Sequence, residues 1–524
     1  LAHLIPRLFP FLRLNDAAVR TATLTTLSTL LSRSSGAWLS AETCMGPLFR
    51  LLFQNMLLET KPSLVAASRK LWSALLALDD SAAFIVSVTS PHLLAWTKLL
   101  VTPSGTQLDA SLLLIPQHSA RLRSTAKATR EGAKPQPMEV ASSSNAPAPA
   151  PPSTQPASGL AADPALSSVY GISSRTAGVR MRLNGSAALG LLAAAYAAAL
   201  PTEANPFVSL LSSLLASQLS VERQAGALIL ARWAPNTPDL RSPLLDAVLA
   251  CLGTKASAVP LYGELMLLLE RLRAQMGNLV SLFTSHGLPQ TKATQALAGA
   301  PSAETDVLAA AAYVATTAFA AMDRDMPLTR TGDAAAARTA AQDQLLETIG
   351  FLQSLQDKFH LCVQATAAGA AVALAHFPPK LNPLVKALVA AVKKLDVPLL
   401  QADAAAHLVA LVEAVLPRLP KGPANKICGS MLNALVGGPA TVAAADWPEA
   451  LTGTDREPAL LPANLAELNP PKLIGADADR AARAAIGAAA FFHALADSLG
   501  ASLFSLLPHL ETKILAAGLA SPAT

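Results

Sequence analysis

The chain has 524 residues, of which 52% are hydrophobic and only 4% aromatic. That length exceeds what one compact core usually holds, so we expect either several domains or a repeating array. The formal charge of +5 is small for this length and does not by itself indicate a nucleic-acid-binding protein. Alanine is abundant and alternating β-branched segments are nearly absent, which predicts an all-α fold.

Residues 1–122 contain paired amphipathic helices. The first is expected to place Leu4, Leu8, Phe11 and Leu12 on one face. The pair Asn15-Asp16 is expected to cap the next helix, whose string NDAAVRTATLTTL has the form of the second helix of a HEAT repeat. Further hairpins are predicted at Trp38–Leu78 and Phe84–Val101.

Two segments break the helical pattern. Residues 123–167 are dominated by Pro, Ala and Ser and predict a disordered loop, because they offer too little apolar area to offset ordering. Residues 437–477 are rich in Gly and Pro and predict an irregular loop. Between them, residues 168–436 are expected to form central HEAT repeats, and residues 478–524 a further repeat.

Helical signals recur through the central region. The string SVERQAGALILARW has the same residue pattern as the first HEAT-like string, with Ser220 as the expected cap. Other helices are predicted at Pro243–Leu252, Leu261–Met276, Val307–Ala321 and Asn425–Val436, with an unusually long one at Ala334–Ala375.

The clearest hairpin runs from Pro378 to Leu419. One face of its first helix is expected to be buried through Leu381, Leu384, Val385, Leu388, Val389, Val392 and Leu395. Asp396 before Pro398 predicts the start of the second helix, with the carboxylate as a cap. That helix is expected to bury Leu400, Ala404, Leu408, Leu411, Val412, Val415, Leu416 and Leu419. Neither helix can bury its apolar face without packing against another helix. Such hairpins are therefore expected to stack into an α-solenoid.

Motifs for catalysis and metal binding are missing from the sequence. There is no phosphate-cradling loop, no H-E-x-x-H, no C-x-x-C and no G-x-S-x-G, so no enzyme chemistry, cofactor site or metal site is predicted. His360, His376 and His407 are interpreted as structural histidines. The cysteines, which are far apart, are expected to be reduced core residues: Cys44, Cys251, Cys362 and Cys428.

Basic residues cluster on both sides of the Pro/Ala/Ser-rich segment. Before it lie Arg121, Arg123, Lys127 and Arg130, and after it lie Arg175, Arg180 and Arg182. Basic side chains can contact DNA phosphates, but solvation of the loop borders is the favoured interpretation.

No membrane partner is expected. The longest apolar run, Ala187–Leu200, is about fourteen residues, short of the ~20 that a membrane span needs. The chain begins at Leu1, already inside a helical pattern, which suggests a fragment of a longer protein.

Several blocks resemble, in the same order, the HEAT-repeat region of the TATA-binding-protein-associated ATPases of the Swi/Snf superfamily. They are IPRLFPFLRLNDAAVRTATLTTLSTLL, VRMRLNGSAALGLLAAA, SVERQAGALILARW, FPPKLNPLVKALVAAVKKLDVPLLQADAAAHLVALV and GAAAFFHALADSLGASLFSLLPHL. Together they span nearly the full chain. The family's C-terminal ATPase does not occur in this sequence.

The resemblance implies a nuclear scaffold that binds TATA-binding protein, as part of an ATP-dependent regulator that removes it from promoter DNA. ATP, Mg²⁺ and promoter DNA would then belong to the ATPase domain, with no small-molecule substrate for this segment. The resemblance assigns no partner contact to a numbered residue. The alternative is a generic HEAT adaptor, such as a nuclear transport receptor or a phosphatase scaffold. A DNA-binding solenoid is a third possibility, which the small positive excess hardly supports.

Overall fold

The all-α prediction is confirmed in the part of the chain that the structure describes. The computed structural model describes residues 4–14, 16–33, 42–78, 82–103, 108–113, 175–201, 204–236, 241–253, 307–318, 320, 333–378, 380–416, 422–436, 476–508 and 510–512, and these include no β-strand. The expected loop at 123–167 and helix at Leu261–Met276 lie outside these ranges, as does nearly all of 437–477. The domain boundaries drawn from the sequence therefore stay a prediction.

The chain divides into two compact units, Leu1–Leu99 with Gln107–Gly171, and Leu100–Thr106 with Ile172–Thr524. The first unit contains a 3₁₀ helix at Ile5–Arg13, α1 (Ala17–Arg33), α2 (Glu42–Leu58), α3 (Pro62–Leu76), α4 (Ala82–Thr89) and α5 (Leu93–Leu100). Phe49, Phe53, Trp72 and Trp96 form its aromatic core, with ring centroids 4.9–6.2 Å apart. Edge-to-face and offset contacts of this kind add to the free energy gained by burying the rings.

The face expected for the first helix is wrong in part: Leu12 is buried as expected and Leu8 is half-buried. Leu4 and Phe11 are exposed, and the buried residues are Ile5, Phe9 and Leu12. The segment winds as a 3₁₀ helix that contains Pro6 and Pro10. Because proline lacks the N–H that an α-helix needs and a 3₁₀ helix has three residues per turn, the 3.6-residue spacing does not apply there.

The second unit contains eleven described α-helices, in which pairs adjacent in sequence pack on each other and on the next pair. They are α6 (Arg175–Ala199), α7 (Pro206–Ala216), α8 (Ser220–Trp233), α9 (Arg241–Gly253), α10 (Val307–Tyr313), α11 (Asp333–Ala373), α12 (Asn382–Lys394), α13 (Pro398–Val415), α14 (Gly422–Val436), α15 (Ala476–Leu499) and α16 (Leu503–Leu506). Helix α8 packs on α6, α7 and α11, while α13 packs on α11, α12 and α15.

An arginine in each HEAT-like string fixes the turn that precedes its helix. Arg20 in α1 donates to the Leu14 carbonyl oxygen at 2.5 Å, and Arg223 in α8 donates to the Ser217 carbonyl oxygen. Both arginines therefore reach a carbonyl six residues earlier in the chain. Arg20 also pairs with Glu59 at the end of α2, at 2.9 and 3.2 Å, so it ties two hairpins together.

The Pro378–Leu419 hairpin forms as predicted, with differences at its edges. Leu384, Leu388, Val392 and Leu395 are buried, as are the residues expected for the second helix except Leu416, which is half-buried, and Leu419, which lies outside the described residues. The other three residues of the expected α12 face, Leu381, Val385 and Val389, are only half-buried. Helix α12 is therefore covered on a narrower stripe than its apolar pattern suggests.

Two of the expected helix caps are wrong. The N-cap position of α13 is Val397, with no side-chain cap, and Asp396 instead accepts a hydrogen bond from Lys358 Nζ in α11 at 2.9 Å. Ser220 is the first residue of α8 rather than its cap. At α1, Asp16 Oδ1 accepts from the Ala18 N–H at 2.8 Å, as expected of a capping carboxylate.

Candidate functional site: a basic groove between α12 and α14

Side chains that could hold a metal ion do not cluster among the described residues. No group of three or more His, Cys, Asp or Glu side chains with metal-binding geometry occurs among them. The four cysteines are buried and form no disulfide, as expected. Burial raises the pKa of the Cys251 thiol, which is directed at the Leu215 carbonyl oxygen at 3.1 Å. A buried thiol with a raised pKa is a packing group and a poor nucleophile.

His407 belongs to a polar cluster that joins three helices. Asp403 in α13 accepts from Arg232 Nη2 in α8 at 2.5 Å, and the Asp403 carboxylate lies 3.8 Å from His407 Nε2. A Cβ placed on Gly369 of α11 would fall 2.5 Å from the His407 ring. Burial lowers the pKa of His407, and the nearby Asp403 carboxylate offsets part of that decrease. Asp403 and His407 are buried, whereas the Arg232 side chain is 42% exposed and closes the cluster from the surface. We assign the cluster a packing role.

The basic clusters flanking the Pro/Ala/Ser-rich segment are described only in part, and one of their arginines is buried. Arg121, Arg123, Lys127 and Arg130 lie outside the described residues. In the second cluster, Arg182 is only 1% exposed and its Nη2 donates to the Thr102 carbonyl oxygen at 3.4 Å. A guanidinium buried in this way is out of reach of DNA phosphates.

An open groove of about 670 Å³ lies between α12 and α14. Helices α12 and α14 both pack on α15 and touch each other only weakly, which leaves a gap between them. The groove is lined by Leu381, Asn382, Val385, Lys386, Val389, Gly422, Pro423, Lys426, Ile427 and Ser430. Its volume falls within the range of protein ligand sites.

The floor of the groove is apolar and its rim is positively charged. Leu381, Val385 and Val389 are half-buried on the α12 side, opposite Ile427 on α14. Lys386 and Lys426 are exposed at the rim. Neither α12 nor α14 contains an acidic residue along its whole length. The lysine charges at the groove are therefore not balanced by carboxylates on either of these helices.

Lys393 bridges α12 and α14 beyond the lining residues. Its Nζ donates to Ser430 Oγ at 2.9 Å. Burial lowers the pKa of Lys393, which means that the ammonium lacks part of the solvation it would have in water.

Sequence reasoning missed the groove because every apolar residue of α12 was assigned to the core. Seven large apolar residues plus buried Ala387 and Ala391 make a stripe too wide for a helix covered on one side. That width, together with two lysine-bearing helices free of acids, is the signal that could have identified it.

Among the described residues, three stretches are long and apolar enough to cross a membrane, judged by length and composition alone. They are Ala83–Leu100, Pro398–Val415 and Arg480–Leu506. Pro398–Val415 carries the buried polar residues Gln401, Asp403 and His407 and packs among other helices of its unit. That no membrane partner exists stays a prediction.

Comparison with known proteins identifies the family of the chain. Residues 71–512 match the family described as a domain of unknown function, DUF3535. The chain belongs to the DUF3535 family. This confirms the resemblance drawn from the ordered sequence blocks, because the relatives that it matches are TATA-binding protein-associated factors.

Relatives of this DUF3535 chain come from plants, fungi and animals. It is 26% identical to TATA-binding protein-associated factor BTAF1 of Arabidopsis thaliana, over 82% of this chain and 22% of that protein. It is 27% identical to factor mot1 of Aspergillus fumigatus, over 82% and 23%, and 26% identical to factor 172 of Homo sapiens, over 83% and 22%. The chain thus spans about a fifth of the length of these curated relatives.

Proposed function

We propose that this chain is a helical scaffold segment that binds TATA-binding protein within an ATP-dependent transcription regulator. The observation that carries the proposal is the match to three TATA-binding protein-associated factors over more than four-fifths of the chain. The regulator would remove TATA-binding protein from promoter DNA and act in the nucleus.

The helical hairpins supply a physical basis for such a role. Stacked hairpins present a row of inter-helix turns along an edge, which suits contact with a folded partner over a wide area. A standard protein–protein interface buries about 1,600 Å² in total, which several adjacent turns can provide. Arg20 fixes the turn before α1 within the first unit, and Arg223 fixes the turn before α8 within the second.

Catalysis would belong to another part of the same protein. The sequence contains no phosphate-binding loop, so ATP and Mg²⁺ would bind to an ATPase domain outside this segment, and that domain would contact promoter DNA. This segment would hold TATA-binding protein while the ATPase domain removes it from DNA.

A generic HEAT adaptor remains the competing hypothesis. It accounts for the helix pairs but predicts relatives among transport receptors or phosphatase scaffolds. The match of residues 71–512 to DUF3535 and the names of the relatives favour the first hypothesis.

A pull-down separates the two hypotheses. The 524-residue chain is immobilised and offered TATA-binding protein from the same organism or an importin-type cargo, at moderate salt and without nucleotide. We expect retention of TATA-binding protein alone. Retention of the cargo alone would favour the adaptor, and retention of neither would refute the proposal.

A further inference from the structure

The groove between α12 and α14 combines two recognition features at one place. Its floor presents aliphatic side chains of Leu381, Val385 and Val389 that are half-buried rather than covered. Its rim carries Lys386 and Lys426, whose ammonium groups are exposed. Half-buried aliphatic residues favour a partner that brings apolar side chains, because their burial removes further apolar area from water.

The charge pattern defines the partner further. The two lysines that line the groove, Lys386 on α12 and Lys426 on α14, face no acidic residue from either helix. The N-terminal turns of both helices also line the groove, and neither turn contains an acidic residue. Helix N-termini and lysines both favour negative charge, so the groove complements carboxylates.

The shape agrees with a helical segment. The lining residues occupy about two turns on each flanking helix, so the groove runs between two helices that rest on α15. An amphipathic helix lays its apolar side chains, spaced i, i+3, i+4 and i+7, into such a groove. Acidic residues at the margins of that helix would then lie beside Lys386 and Lys426.

Nucleic acid fits the same groove less well. Phosphate backbones bind to polar, strongly positive surfaces, whereas the floor here is aliphatic. The described lining residues include no arginine and no aromatic side chain on which a base could stack.

We propose that the groove between α12 and α14 is a docking site for an acidic amphipathic helix of a partner protein. The apolar face of that helix covers Leu381, Val385 and Val389, and its carboxylates pair with Lys386 and Lys426. This goes beyond the binding of TATA-binding protein proposed above and does not depend on it.

The test uses a fluorescein-labelled synthetic peptide of about 16 residues, with leucine at i, i+3, i+4 and i+7 and glutamate at the flanking positions. Titration with the 524-residue chain is followed by fluorescence anisotropy. We expect a Kd on the order of 10 µM. A second peptide replaces every glutamate by lysine, and a third scrambles the leucine spacing; both should bind at least about tenfold more weakly.

Matched variants locate the site. Lys386→Glu and Lys426→Glu should each weaken binding of the acidic peptide about tenfold, because each replaces an attraction by a repulsion. Lys394→Glu is the control, since it makes the same charge change on an exposed residue of α12 that does not line the groove; it should change the Kd by less than about twofold. Val389→Thr keeps the side-chain shape and should weaken binding by removing apolar contact at the floor.

Several results would overturn the inference. They are equal binding of the charge-reversed peptide, equal effects of Lys386→Glu and Lys394→Glu, or binding of a DNA duplex in place of the peptide. Self-association of the chain that is abolished by Lys386→Glu would instead make a second copy the occupant. Titration of the same variants with TATA-binding protein separates this inference from the proposed function, because unchanged binding of that protein leaves the proposed function intact.

Discussion

The crossing of α15 over α12 depends on Gly487. A Cβ at this position would lie 1.8 Å from the Val392 carbonyl oxygen, 2.8 Å from the Val392 carbonyl carbon and 3.1 Å from Gln401 Nε2. The first two are backbone atoms, so no side-chain rotation can relieve the collision. Gln401 also donates to the Val392 carbonyl at 2.8 Å and to the Arg483 carbonyl at 2.9 Å, which ties α12, α13 and α15 together at this point.

Gly487→Ala should therefore destabilise the second unit although alanine is the better helix former. Overpacking costs about 1–3 kcal/mol and more where the backbone must move, and the two Gln401 hydrogen bonds contribute about 1 kcal/mol each. The gain in helix propensity offsets only about 1 kcal/mol. We expect a net loss of at least about 2 kcal/mol.

Gly350→Ala is the matched control. Gly350 is exposed within α11, and a Cβ there would meet no atom within 4 Å. This change should raise stability by up to about 1 kcal/mol. Thermal and urea unfolding followed by circular dichroism should give shifts of opposite sign for the two variants. A Gly487→Ala protein that unfolds at or above the parent's midpoint would refute the close approach of α15 to α12.

Further predictions concern the core, the turn arginine and pH. Leu388→Asp should be severely destabilising, because it places an unpaired carboxylate at a residue that is 0% exposed; Leu346→Asp, at a residue 43% exposed, should change the melting temperature little. Arg20→Met should cost about 2–3 kcal/mol, since it leaves Glu59 without its charged partner, and adding Glu59→Gln should recover part of that loss in a double-mutant cycle. The pKa of buried His407 is lowered, so the unfolded chain binds a proton at this residue more readily than the folded chain does. The contribution to stability is therefore full above pH 6.5 and is lost as the pH falls below it. The unfolding midpoint of His407→Gln should depend less on pH in that range, and an unchanged dependence would show that His407 is not its source.

The sequence pattern predicted the helices well because their apolar periodicity is strong. Helix α11, expected at Ala334–Ala375, is observed at Asp333–Ala373, and α14, expected at Asn425–Val436, begins three residues earlier at Gly422. The buried stripe Leu384, Leu388 and Val392 was also predictable, because those residues share one face whatever the partner is.

Other features depend on which helices pack against each other. The apolar pattern of one helix does not identify its packing partners. Helix α13 buries Gln401, Asp403 and His407 as well as its aliphatic face, because it is packed by several other helices and its polar groups find partners there. Asp396 has the pattern of a cap, but its carboxylate pairs with Lys358, a residue distant in sequence. The groove beside α12 likewise arises because both α12 and α14 rest on α15, a long-range arrangement.

The most direct test of the proposed function is a calorimetric titration of the 524-residue chain with TATA-binding protein from the same organism, without nucleotide, at about 150 mM salt. We predict saturable binding with a Kd of about 10 µM or tighter, and loss of that binding in the unfolded Leu388→Asp variant. No heat of binding from a folded chain at about 100 µM, together with no complex by size-exclusion chromatography, would contradict the account.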